Sequence, residues 1–186
     1  MGGAVSPPYS FQHTGPVLVC GNAECLFNDL HRAKSLFGDI PVIAVNGAAK
    51  VVRADALYSK HPERFISYRW LEAQKFHFST TPLIHADTRA ATRPSYVDYW
   101  WTGVWGGGGS AWDARKLAYF VGYDPIILCG CPLDPGPYTN GGGIGGYMTD
   151  AKVVQDLRDG MAKEVEWHNG AFSMSGWTRT LLGEPC

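Results

Sequence analysis

The sequence predicts an α/β protein, a single three-layer domain built on a mainly parallel sheet, and three observations carry that expectation. Short unbroken apolar runs, at Val17–Cys20, Ile40–Val45 and Pro125–Cys129, each stop at a polar residue or a glycine, as strands buried on both faces do. The segments between them place apolar residues at helical spacing. Finally, 186 residues with 45% hydrophobic and 18% charged side chains suffice for one real core and argue against extensive disorder.

Residues 1–15 hold Gly, Pro and Ser without periodicity and read as an N-terminal arm, leaving 16–186 as the domain. The first strand ends in Gly21-Asn22, and a helix over Leu26–Phe37 follows, stopped by Gly38-Asp39. The second strand ends in Asn46, and Ala54–Ser59 reads as a shorter third. A helix is expected over Pro62–Lys75 and a fourth strand over Pro82–Ala86. Alternation at this pitch means parallel pairing through right-handed crossovers, with 17–20, 42–45, 55–58 and 126–129 as neighbours.

From Thr88 to Gly109 the pattern gives way to Tyr96, Tyr99, Trp100, Trp101 and Trp105, the composition of a lid or binding loop. Trp105–Asp134 then runs as glycine loop, helix, turn at Gly122 and buried strand, and is the first candidate for a ligand cradle. Pro132–Asp150 interrupts the sheet again. Ala151–His168 is an amphipathic helix with Asp150 or Thr149 as its cap, and the tail Ser173–Cys186 reads as a last short strand and turn.

A net charge of −1 leaves no extended nucleic-acid surface. Five cysteines lack paired metal-site spacing, and the odd count without a secretory signal points to a reducing compartment. Cys20 and Cys129, both ending strands, are expected to meet. No His-x3-His or similar spacing exists, so no metal or other cofactor is expected. No run is long enough to span a membrane, and the expectation is a soluble, cytoplasmic protein; a homo-oligomer is compatible with all of this.

Chemistry-bearing residues gather where strands end. Asn22 and Asn46 stand at carboxyl ends, where substrates bind, and each offers a donor and an acceptor; each is also a natural turn former. His61 and His85 follow or end strands near carboxylates, and either fits a general base or a structural histidine. Ser110, after Gly109, presents a hydroxyl and an N–H at a helix start, or caps that helix in a box with Asp113. Lys60, Arg64, Arg93 and Arg179 are candidates to neutralise phosphate. Gly141, Gly143 and Gly146 satisfy GxGxxG, but a dinucleotide fingerprint belongs after the first strand, where Gly21–Cys25 stands.

Taken in order, VLVCGN (17–22), VIAVN (42–46), Ala54-Asp55, Gly109-Ser110-Ala111 and GYDPIILCG (122–130) resemble bacterial sialyltransferases that use CMP-sugars and the related motility-accessory glycosyltransferase-like proteins. The resemblance spans residues 16–134 and includes compact phage-encoded proteins of this sort. It implies a Rossmann-like domain with Gly21, Asn22, Asn46, Gly109 and Ser110 around a nucleotide, and a partner that is a nucleotide or nucleotide-sugar. The activity expected is metal-independent direct transfer of a sugar, with His61 or His85 taking the acceptor proton. The alternatives are a non-catalytic nucleotide-sequestering protein and another nucleotide-processing enzyme, such as a glycosidic-bond hydrolase.

Overall fold

The computed structural model describes residues 13–87, 93–101, 107–136 and 150–186. Seven strands form one sheet: β1 (Val17–Cys20), β2 (Val42–Val45), β3 (Ala56–Ser59), β4 (Leu83–Asp87), β5 (Tyr99–Trp101), β6 (Ile126–Cys129) and β7 (Ala171–Ser173). Their spatial order is β5-β4-β3-β2-β1-β6-β7, and every neighbouring pair is parallel. The four segments expected to be parallel neighbours are the central four, β3-β2-β1-β6, and the architecture is the α/β, Rossmann-like one.

The continuous apolar runs have a direct cause. Along β1, Leu18 and Cys20 enter one core layer while Val17 and Val19 enter the other, and none is more than 1% exposed. Successive side chains point to opposite faces, so a strand covered on both sides must be apolar throughout. Helices α1 (Leu26–Phe37), α2 (Arg64–Ser67) and α3 (Trp70–His77) supply the first layer; α4 (Gly109–Phe120), α5 (Ala151–Lys163) and α6 (Gly176–Leu182) supply the second. Cys20 and Cys129 are register partners and both are free thiols.

Helix ends follow local chemistry. Gly38 takes φ 72° and donates its N–H to Lys34 O, closing α1. Asp150 caps α5, its carboxylate accepting from the N–H groups of Lys152 and Val153 at 2.9 and 3.3 Å. Gly160, inside α5, costs about 1 kcal/mol relative to Ala as a helical residue. A Cβ there would come within 2.6 Å of Gly107 Cα, so the glycine lets the chain entering α4 lie backbone against backbone on α5.

Four expectations need correction. The single helix over 62–75 is two, broken at Arg69 with φ 58°, which lets Phe65 and Trp70 meet edge to face in one core at 5.6 Å. The helix after Asp150 stops at Lys163, where Glu164 leaves helical geometry, and a 3-10 turn over Val165–Trp167 follows. Part of the aromatic segment is strand β5, and the last strand is Ala171–Ser173, followed by α6 rather than a turn. Strands of three residues are too short to show a period. Trp105, Gly141, Gly143, Gly146 and arm residues 1–12 lie outside the described residues.

Candidate functional site

The chain reverses its direction across the sheet between β1 and β6, the switch point at which doubly wound folds hold ligands. Here that crevice is occupied by the protein itself. Gly21 N–H donates to Cys129 O at 2.8 Å and Ala23 N–H to Gly130 O at 3.1 Å. A Cβ on Gly21 would sit 2.5 Å from Gly130 O, so only glycine permits the approach. Beneath the loops, the buried Asp29 carboxylate accepts from Gly130 N–H at 2.8 Å and from the Ser175 hydroxyl at 2.6 Å. Cys25 Sγ lies 3.2 Å from Ser175 Oγ. Burial pushes the Cys25 thiol up to about 11 and also raises Cys131, so neither is an activated nucleophile at neutral pH.

The other half of the carboxyl edge is polar and reachable. Half-buried Asn22 follows β1 and packs its amide against Gly47, where a Cβ would lie 2.9 Å from Nδ2. Asn46 follows β2 at φ 52°, a backbone conformation that Asn tolerates better than most residues. Its Oδ1 accepts from the Ser59 hydroxyl at 2.8 Å, and Ser59 Oγ accepts from His61 N–H at 2.9 Å. The His61 ring is 39% exposed, with Nδ1 3.5 Å from Glu63 Oε1. The tips of β1, β2 and β3 thus form one contiguous polar surface.

Lys60, between Ser59 and His61, turns inward and forms a buried ion pair with Asp113 of α4. That pair holds the first turns of α4, with half-buried Gly109 and Ser110, against the end of β3. Asp113 therefore makes no capping box: the N-cap is Gly108 at φ 91°, without a side-chain cap. The charge chain continues through Lys116, fully buried, whose Nζ meets Glu164 at 2.5 Å, and Glu164 also accepts from Trp112 Nε1 at 2.7 Å. Lys60 is consequently committed to protein. So is Arg93, which donates to the carbonyls of Val97 and Asp98, whereas Arg179 is exposed, 3.7 Å from Glu184.

His85 sits elsewhere. It is 5% exposed in the middle of β4, stacked on Tyr99 at 4.8 Å, and its Nδ1 accepts from Trp101 Nε1 at 3.1 Å. Trp is a donor only, so the ring is neutral with its proton on Nε2. Burial, with His13 nearby, lowers its pKa to about 4. The ring lines a cavity of about 100 Å³ with Pro41, Val42, Asp55 and Leu83, residues that precede or begin strands. The structure does not bring His85 to the group around His61, and Asp55, the carboxylate near His61 in sequence, instead accepts from Val42 N–H. Tyr96 donates to Pro62 O at 3.0 Å.

Among the described residues no cluster of three His, Cys, Asp or Glu is arranged to hold a metal, and no helix is long and apolar enough to cross a membrane. Ser59, Asp29 and Ser175 escaped sequence reading because their partners are 13 to 150 residues away. A serine ending an apolar strand two residues before His61 was the one local signal available.

No protein-family model matches the chain, and no curated protein matches it by sequence. Its fold is similar to that in the structure of the MAf glycosyltransferase from Magnetospirillum magneticum AMB-1, with a TM-score of 0.54 and 14% identity. The alignment covers 87% of this chain and 32% of that one, so this chain matches about a third of the neighbour's length. The similarity is one of fold, a Rossmann-like α/β domain.

Proposed function

We propose that this protein is glycosyltransferase-like and holds a nucleotide-sugar over the tips of β1, β2 and β3. The observation that carries this reading is the run Asn22–Gly47 and Asn46–Ser59–His61 beside the first turn of α4. With the switch point filled by Gly21 and Gly130, this surface is, among the described residues, the half-buried polar part of the edge where such folds bind ligands. The likeness to the MAf glycosyltransferase fold supports the class.

In the proposed reaction an acceptor oxygen attacks the anomeric carbon and forms the new glycosidic bond. The bond from that carbon to the nucleotide phosphate oxygen breaks, and the phosphate leaves with the electron pair. The acceptor proton passes to a ring nitrogen of His61. Asn22, Asn46, Gly109 and Ser110 hold the nucleotide, with Gly21 behind them committed to the contact with Gly130, and the step needs no metal. His85, neutral and bonded to Trp101, has no part in it.

Incubation with CMP-, UDP- and GDP-sugars, followed by assay of released nucleotide, tests the reading. Release is expected from one donor class, and His61→Ala should slow it by about 10²–10⁴-fold while nucleotide affinity stays within about twofold. Parallel loss of binding and stability would make His61 structural. The second reading, a non-catalytic nucleotide binder, is favoured by the 32% coverage of the neighbour, and thermal stabilisation by nucleotide without turnover would select it.

A further inference from the structure

We infer that Ser59 is a positioning residue that fixes Asn46 as a hydrogen-bond donor, so that Asn46 reads an oxygen acceptor on the ligand. This rests on the proposed nucleotide site and specifies one of its contacts.

Three observations carry the inference. Ser59 is fully buried, its oxygen accepts from His61 N–H, and Asn46 Oδ1 is the acceptor within reach of its hydroxyl hydrogen. Were the Asn46 amide turned over, its NH₂ would donate to the serine oxygen. Of the bonds just described, the hydroxyl hydrogen would then lose its partner, which is costly for a buried polar group. The observed direction satisfies each of those groups, as a chain from His61 N–H through the Ser59 hydroxyl to Asn46 Oδ1. What remains of Asn46 is Nδ2, on a half-buried residue at the carboxyl edge, and no described residue accepts from it. A group with two N–H donors and its only acceptor occupied selects oxygen: a phosphate oxygen, or a carbonyl or hydroxyl oxygen of the nucleoside.

The chain also ties the ligand contact to the proposed base. Ser59 holds Asn46 with its hydrogen and the backbone of His61 with its lone pair. Removing the hydroxyl therefore loosens both.

The decisive variant is Asn46→Asp, which keeps an oxygen for Ser59 and exchanges the outward NH₂ for a second oxygen. Cytidine, CMP, UMP and GMP are titrated calorimetrically into wild type, Asn46→Asp, Ser59→Ala and Ser59→Thr, with melting temperatures recorded for each. The side-chain amide exchange of Asn46 is followed by NMR in the unliganded protein. Asn46→Asp should melt with wild type and weaken nucleotide binding about tenfold or more, the loss of a hydrogen bond to a charged or polar oxygen. Ser59→Ala should weaken it severalfold, and Ser59→Thr should restore it. In Ser59→Ala, which adds no charge, a loss for CMP but not for cytidine assigns the acceptor to phosphate; equal losses assign it to the nucleoside. Unchanged affinity in Asn46→Asp overturns the inference. If wild type binds none of these ligands, the nucleotide-site reading fails, and the orientation is decided by exchange alone. Two fast-exchanging amide protons uphold it, and one protected proton refutes it.

Discussion

The two faces of the sheet bury polar groups in opposite ways. On the face covered by α1 to α3, the described buried polar side chains include Asp29, whose carboxylate accepts from Gly130 N–H and the Ser175 hydroxyl, and the neutral Gln74, and the bonds of both are complete. The Gln74 amide donates to the carbonyls of Ala49 and Val52 at 2.6 and 2.8 Å, and its oxygen accepts from Ala54 N–H and the Thr80 hydroxyl. On the face covered by α4 to α6, Lys60, Asp113, Arg115 and Lys116 are buried as charges. Both Asp113 oxygens and two of the Arg115 nitrogens lack well-directed hydrogen bonds, and Arg115 is held largely over the rings of Trp112, Tyr119 and Trp167. Desolvation lowers the Arg115 pKa to about 10. The neutral network orders a loop at little cost. The charged one is costly to bury, and it is the one that connects α4 to the candidate site.

Single and paired substitutions measure that contrast. Asp113→Ala strands Lys60 in the core and should cost about 3–5 kcal/mol in urea unfolding, the largest effect expected here. If the pair serves position rather than stability, Lys60→Met with Asp113→Leu should restore stability to within about 1 kcal/mol of wild type, while Ser110 loses its fixed place. Full loss in the double variant would mean the ion pair is stabilising in itself.

The charged face also carries a titration. His85 is neutral in the fold with a pKa of about 4 against an ordinary value of 6.5, so the unfolded chain binds more protons between those values. The stability it supports is complete above pH 6.5 and falls as pH drops toward 4, by about 3 kcal/mol. His85→Gln should remove that slope from the melting temperature between pH 6.5 and 4, and a slope that survives would place its origin in other groups.

On the face covered by α1 to α3, Gln74→Leu leaves two carbonyls and one N–H without partners and should cost about 2–3 kcal/mol, with no change in nucleotide binding. A binding loss in that variant would break the separation between the faces.

Much of this fold is legible from the chain alone, because strands buried on both sides write themselves as apolar runs. The helix α1, the caps Gly38 and Asp150, and the central four strands follow from local chemistry and appear where expected. What was not legible depends on pairing at a distance. Asp113 has the spacing of a capping residue but responds to Lys60, 53 positions earlier, and Arg69 interrupts a helical pattern because Phe65 and Trp70 share one core. For the candidate site, Asn22 and Asn46 could be named from their strand ends. The role of Ser59 could not, since nothing in the sequence says which neighbour takes its hydroxyl.

The contact between Gly107 and Gly160 joins two parts of the charged layer. With no side chains to slide or repack between them, the approach to α4 lies directly on the last turn of α5. Lys116 and Trp112 hold Glu164 one helical turn further on, so α4 and the C-terminal end of α5 are fastened together at two neighbouring points. The place of Ser110 over the carboxyl edge therefore depends on the packing of α5 as well as on the Lys60–Asp113 pair.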